Sequence, residues 1–317
     1  MRGCAVLAAS QMFGCAVYRG AADADNCAEQ VPGSRGASGS GRLVIDAPGA
    51  PLPEALNGLF DPVAPIDFLL LGEVHDHPLQ HRVRADWLET LASRGRFVLA
   101  MEQFDAARQG DIDRARASQS GAREIAQAAA FQFKGWDWAF YEPYVELALR
   151  HDLPLIAANL SMSQARSIAR GAASPMGSVE PADWSDEDRE RIAAEIRLSH
   201  CGMLPASAIA PMVAAQQARD ATMAHALVDA HREWRLPVVL LAGSGHVRRD
   251  LGVPRYLRDL APGARIFSVG LVERYGEDDD GSEGRSRDFD LTVETPAHPR
   301  TDPCEVFRNR PAAAPKD

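Results

Sequence analysis

Two hydrophobic patterns alternate along the chain. Residues 66–71, 96–101, 153–158, 238–242 and 264–272 are short apolar runs with no polar face, the pattern of strands in a parallel sheet covered on both sides. Between them, apolar residues recur at helical spacing, first at Val83, Trp87, Leu88 and Leu91, in a helix that Asp76 or His77 caps and that carries Pro78 in its first turn. Residues 105–151 are helical in pattern, broken at Gly110, Gly121 and Gly135, with Pro143 expected in the first turn of a helix ending near Arg150. Residues 161–236 are mostly helical and too long for one crossover. Within them Ser185 and Asp188 form a capping-box-like start to a helix that Gly202 and Pro205 end, and a second helix runs from about Ser207 to Trp234. A short strand is expected at 43–45, a brief helix within 47–65 and an edge strand at 289–294, followed by a proline-punctuated tail.

This alternation predicts an α/β fold, with a mainly parallel sheet between flanking helices in three layers and a smaller inserted helical subdomain. The α/β unit is expected over 43–294, with helical insertions at about 105–150 and 161–236 and an irregular tail over 295–317. Residues 19–42, rich in Gly, Ala and Ser, read as a flexible linker. Residues 1–18 have a charged start and an apolar run too short to span a bilayer, which fits a secretory signal. Met12-Phe13-Gly14-Cys15 is a degenerate lipobox, and lipidation of Cys15 would attach the protein to a membrane on the periplasmic side of the cell envelope, with the outer membrane one destination.

Composition narrows the picture further. A net charge of -10 and the absence of a basic stripe argue against a nucleic-acid partner. Five cysteines, three of them before residue 30, form neither a disulfide framework nor a paired CxxC metal site, and they leave one Cys201–Cys304 bridge open.

The chemistry lies where the strands stop. An open parallel sheet binds ligands beyond the carboxyl ends of its strands, and here those ends carry Glu73 and His75, Glu102, Asn159 and His246. Two ends share one form, Gly72-x-x-His75 and Gly243-x-x-His246, in which glycine allows close backbone approach. The residues alone leave three uses open: ligands for a divalent metal such as Zn, a general acid and base, or a hold on the iron and propionates of a haem. In the metal case Glu73, His75, Glu102 and His246 would surround one ion in a hydrolase, a peptidase or esterase. His77 and His81, spaced i and i+4, share a helix face, where His77 reads first as a cap. The aromatic cluster Trp136, Trp138, Phe140, Tyr141 and Tyr144 reads as helix packing, with Tyr141 and Tyr144 the tyrosines nearest the expected pocket. Gln216, Arg219 and Asp220 interrupt an apolar helix stripe, so that helix faces more than plain core.

An ordered set of blocks then resembles one family. It comprises Gly72-Glu-Val-His75-Asp-His77-Pro with His81, Met101-Glu102-Gln-Phe-Asp105, and Trp136-x-Trp138. It continues with His200-Cys-Gly-Met-Leu-Pro205, Gln216-Gln-Ala-Arg219-Asp220 and Gly243-Ser-Gly-His246 followed by Gly252-Val-Pro254. The sequence resembles the ChaN-like haem-binding lipoproteins, within the wider group of Tiki-type peptidases and erythromycin-esterase-like enzymes. The resemblance implies a binding protein more than an enzyme, with haem bound through a tyrosine (Tyr141 or Tyr144) supported by a histidine. It also implies a homodimer enclosing the cofactors and a role in iron uptake at the envelope. Glu73, His75, His81, Glu102, Arg219 and His246 are the further residues expected at the cofactor. The lipobox departs from the family pattern at Met12 and Phe13.

Overall fold

The computed structural model describes residues 41–174, 180–275, 288–302 and 304–305; the signal, Cys15 and most of the linker lie outside them. A seven-stranded sheet with every described pairing parallel has the order β1-β7-β6-β2-β5-β3-β4. The strands are β1 Gly41–Val44, β2 Phe68–Leu71, β3 Val98–Asp105, β4 Leu155–Asn159, β5 Val238–Leu241, β6 Ile266–Arg274 and β7 Leu291–Pro296. The helices are α1 Pro78–Ala92, α2 Gln109–Ala117, α3 Ala122–Ala128, α4 Trp138–Arg150, α5 Met162–Ile168, α6 Asp186–Ser199, α7 Ala206–Trp234 and α8 Val253–Leu260.

Side-chain alternation along the strands divides the core in two. Leu69, Leu71, Leu99 and Met101 pack with Val83, Trp87 and Leu88 of α1 and Tyr141, Tyr144 and Val145 of α4. Phe68, Leu70, Val98 and Ala100 pack on the other face with Met223, Ala224 and Leu227 of α7 and Leu257 of α8. The expected three layers follow from this division. The helical subdomain has a small core of its own, where Ile192 and Ile196 of α6 meet Ile209 and Val213 of α7. The 29-residue α7 therefore packs on α6 with its first turns and on the sheet with the rest.

Several boundaries differ from the sequence reading. The Phe289–Glu294 expectation becomes Leu291–Pro296, and this strand is interior, because β1 pairs along its outer side. The tail thus begins two residues later than expected, and Gly41 and Arg42 belong to β1 rather than to a linker. β3 runs on through Glu102 to Asp105 with a register shift against β4 after Met101, so Glu102 lies within the strand. Pro143 lies inside α4, whose cap is Asp137, rather than in its first turn. α8 lacked a sequence signal strong enough to name. Cys201 and Cys304 are joined by a disulfide across 103 residues.

Candidate functional site

The same alternation distributes the acids. Glu73 continues the parity of Leu69 and Leu71 and falls on the α1 and α4 side; Glu102 continues that of Val98 and Ala100 and falls on the α7 side. Two buried clusters result, one on each face of the sheet edge.

On the first face, Glu73 is fully enclosed. The Arg84 guanidinium pairs with its Oε2, the Tyr141 hydroxyl donates to Oε1 at 2.7 Å, and His75 Nδ1 lies 2.9 Å from the same oxygen. Arg84 also donates to the Leu71 carbonyl at 3.0 Å and to the Tyr144 hydroxyl at 3.2 Å. Tyr144 in turn donates to the His81 carbonyl at 2.9 Å. His81 spends both ring nitrogens inside the protein: Nε2–H donates to the His75 carbonyl at 2.9 Å, and Nδ1 lies 3.4 Å from Arg84 Nη2. Burial draws its pKa down to about 4, so the ring is neutral. Burial likewise holds both phenols above their ordinary range, so Tyr141 and Tyr144 remain hydrogen-bond donors.

On the second face, His246 is held between two carboxylates. Its Nδ1–H donates to Asp220 Oδ1 at 2.5 Å, its Nε2 lies 3.4 Å from Glu102 Oε1, and the Gln216 side-chain amide packs beside the ring. Burial opposes the ring's charge, but Glu102 and Asp220 outweigh it and push the pKa up to about 10. His246 is therefore an imidazolium. Burial also opposes the charge on Glu102, yet His246 and the Gly243 N–H at 2.7 Å hold its carboxyl well below the usual range. Arg219 is buried beside this cluster with Nη2 3.7 Å from Met162 Sδ.

The two Gly-x-x-His turns join the halves by interlocking. A Cβ on Gly72 would come within 2.7 Å of Val247 and 2.9 Å of the Ser244 Cα, and one on Gly243 within 2.8 Å of the His75 ring. The Ser244 N–H donates to the Glu73 carbonyl at 2.9 Å. Each glycine is thus needed because the other turn occupies its side-chain space. His75, 11% exposed, sits at the rim with its ring edge-on to Trp136 at a centroid distance of 4.5 Å. Beyond His246, a cleft lined by Ile192, Ile196, Gln216 and Leu251 encloses about 40 Å³, room for water but not for a porphyrin.

The structure thus brings Glu73, His75, His81, Tyr141 and Tyr144 together on one side and Glu102, Arg219 and His246 on the other. His77 caps α1, accepting from the Gln80 N–H at 3.3 Å. Four ligands around one metal ion are not what the geometry provides: among the described residues no three His, Cys, Asp or Glu side chains are placed to hold one. Glu73 is already matched by Arg84, and Glu102 and Asp220 share the His246 imidazolium. Arg84 is the member that sequence reasoning missed, although its place on the stripe of His81, Leu88 and Leu91 puts a charge where the helix should be apolar.

Fold and site together define a parallel α/β protein with two acid–imidazole clusters interlocked over one sheet edge. The chain belongs to the ChaN family of haem-binding uptake proteins in the Tiki superfamily, whose profile matches residues 59–257. Haem is the cofactor of that family. A solved structure of ChaN from Campylobacter jejuni with cofacial haem is similar at 29% identity and a TM-score of 0.58, covering 71% of this chain and 86% of that one. An erythromycin esterase, EreC, resembles it more distantly, at 13% identity and a TM-score of 0.39 over 66% of this chain and 70% of that one. No curated protein matches the sequence significantly.

Proposed function

We propose that this protein binds haem at the rim of the sheet edge and hands it on in haem or iron uptake at the cell envelope, with two copies placing their haems face to face. The observation that carries the reading is the family match over more than half the chain, reinforced by the likeness to a ChaN with cofacial haem. The chain's own residues fit the group. His75 brings its ring to the rim beside the partly exposed Trp136 ring, a pairing suited to the face of a macrocycle. Gln103, next to Glu102 on β3, is buried with an amide that bonds to no described residue, a polar group suited to a ligand's carboxylate.

The protein's part is orientation. Glu73 accepts from His75 Nδ1–H and fixes the orientation of the ring; Arg84 and Tyr141 hold Glu73 in turn. Tyr144 braces Arg84 and His81 one layer beneath. Haem, when bound, supplies the iron and the macrocycle; the cleft at His246 is too small to take it. The Cys201–Cys304 bridge suits an oxidising compartment, which supports an exported protein. Lipidation of Cys15 would tether it there.

Titration of the purified protein with hemin tests the reading: a saturable Soret shift is expected, together with doubling of the sedimenting mass. Hemin that retains its free spectrum at stoichiometric protein would refute it.

A further inference from the structure

The segment after β7 runs from one edge cluster to the helical subdomain, and each step is pinned. The Pro296 carbonyl accepts from His77 Nε2 at 2.9 Å, and the His298 N–H donates to Glu273 at 2.8 Å. Arg300 grips the buried Glu273 carboxylate with two bonds of 2.7 Å and pairs with Asp76, next to His75, at 2.8 Å. Cys304 is then joined to Cys201, two residues past the end of α6. α6 itself forms one wall of the cleft whose other wall is His246, Asp220 and Gln216. Ile192 and Ile196 attach it to α7 through a small core, and the Glu195–Arg248, Arg191–Asp250 and Asp188–Arg255 ion pairs tie its outer face to residues 248–255.

From this placement we infer that residues 297–302 and Cys304 act as a strap fixing α6 over the His246 cleft, with the half-buried Cys201–Cys304 disulfide as a thiol-sensitive clasp. A thiolate of a dithiol reductant attacks one sulfur of the bridge and expels the other as a thiolate, which takes up a proton. The reductant's second thiol then displaces the mixed disulfide. The bridge gains two electrons and two protons, and the dithiol becomes a disulfide. Arg300 keeps the strap on the sheet edge, while the C-terminal end of α6 loses its covalent tie and is held only by its small core and ion pairs.

The test is hydrogen exchange on the full chain with and without dithiothreitol, and on Cys304→Ser. Reduction is expected to speed exchange across α6 by about tenfold or more, leaving β2 and β5 protected, and Cys304→Ser should show the fast α6 without reductant. Unchanged α6 exchange on reduction would overturn the proposal, as would loss of protection throughout the sheet, which would make the bridge a staple of the whole fold.

Discussion

Replacing His246 with Gln removes the cation from between Glu102 and Asp220, and the consequence can be followed through pH. The ring's pKa rises from 6.5 to about 10 on folding, which is worth on the order of 5 kcal/mol at one proton. Removal of one partner from a buried ion pair costs about 3–5 kcal/mol, the same scale. Because the folded pKa is the higher one, the stabilisation is fully present below pH 6.5 and is lost as pH rises toward 10. Urea melts at pH 6, 8 and 9.5 should therefore show the wild-type free energy falling with pH, while His246→Gln begins several kcal/mol lower and lacks that fall. At acid pH the variant should recover part of its loss as a stranded carboxyl takes up a proton. Parallel curves for the two proteins between pH 6.5 and 10 would show that His246 is not the buried imidazolium described above.

Arg84→Met strands Glu73 and should cost about 3–5 kcal/mol in chemical denaturation, less at low pH where the carboxyl is protonated. Gly243→Ala forces a methyl group against the His75 ring and should lower stability by about 1–3 kcal/mol in urea; an unchanged midpoint would mean the two turns are not interlocked. Tyr141→Phe removes one donor from Glu73 and should cost about 1 kcal/mol in the same assay, with the fold unchanged by circular dichroism.

Much of this arrangement could be read from the chain. Apolar runs with no polar face announced parallel strands, and their abrupt ends announced the edge on which Glu73, His75, Glu102 and His246 converge. What the pattern could not supply was the side of the sheet each acid takes, because parity decides that only once strand limits are known. β3 extending through Glu102 is what sends it toward α7 rather than toward Glu73. The interior position of β7 was hidden because the short strand expected at 43–45 carries no signal of its partner; as Gly41–Val44 it pairs along the outer side of β7. The Cys201–Cys304 bridge depends on a long-range approach that no local signal encodes. His77 illustrates the converse: its position just before Pro78 marked it as a cap, and a cap it is.

The central claim is that His75, oriented by Glu73, holds haem at the rim of the sheet edge. Hemin titration of wild type beside His75→Ala, followed at the Soret band, tests it most directly. The account predicts a displaced band and an affinity at least about tenfold weaker in the variant, about 1.4 kcal/mol. Superimposable spectra and equal affinities would contradict it.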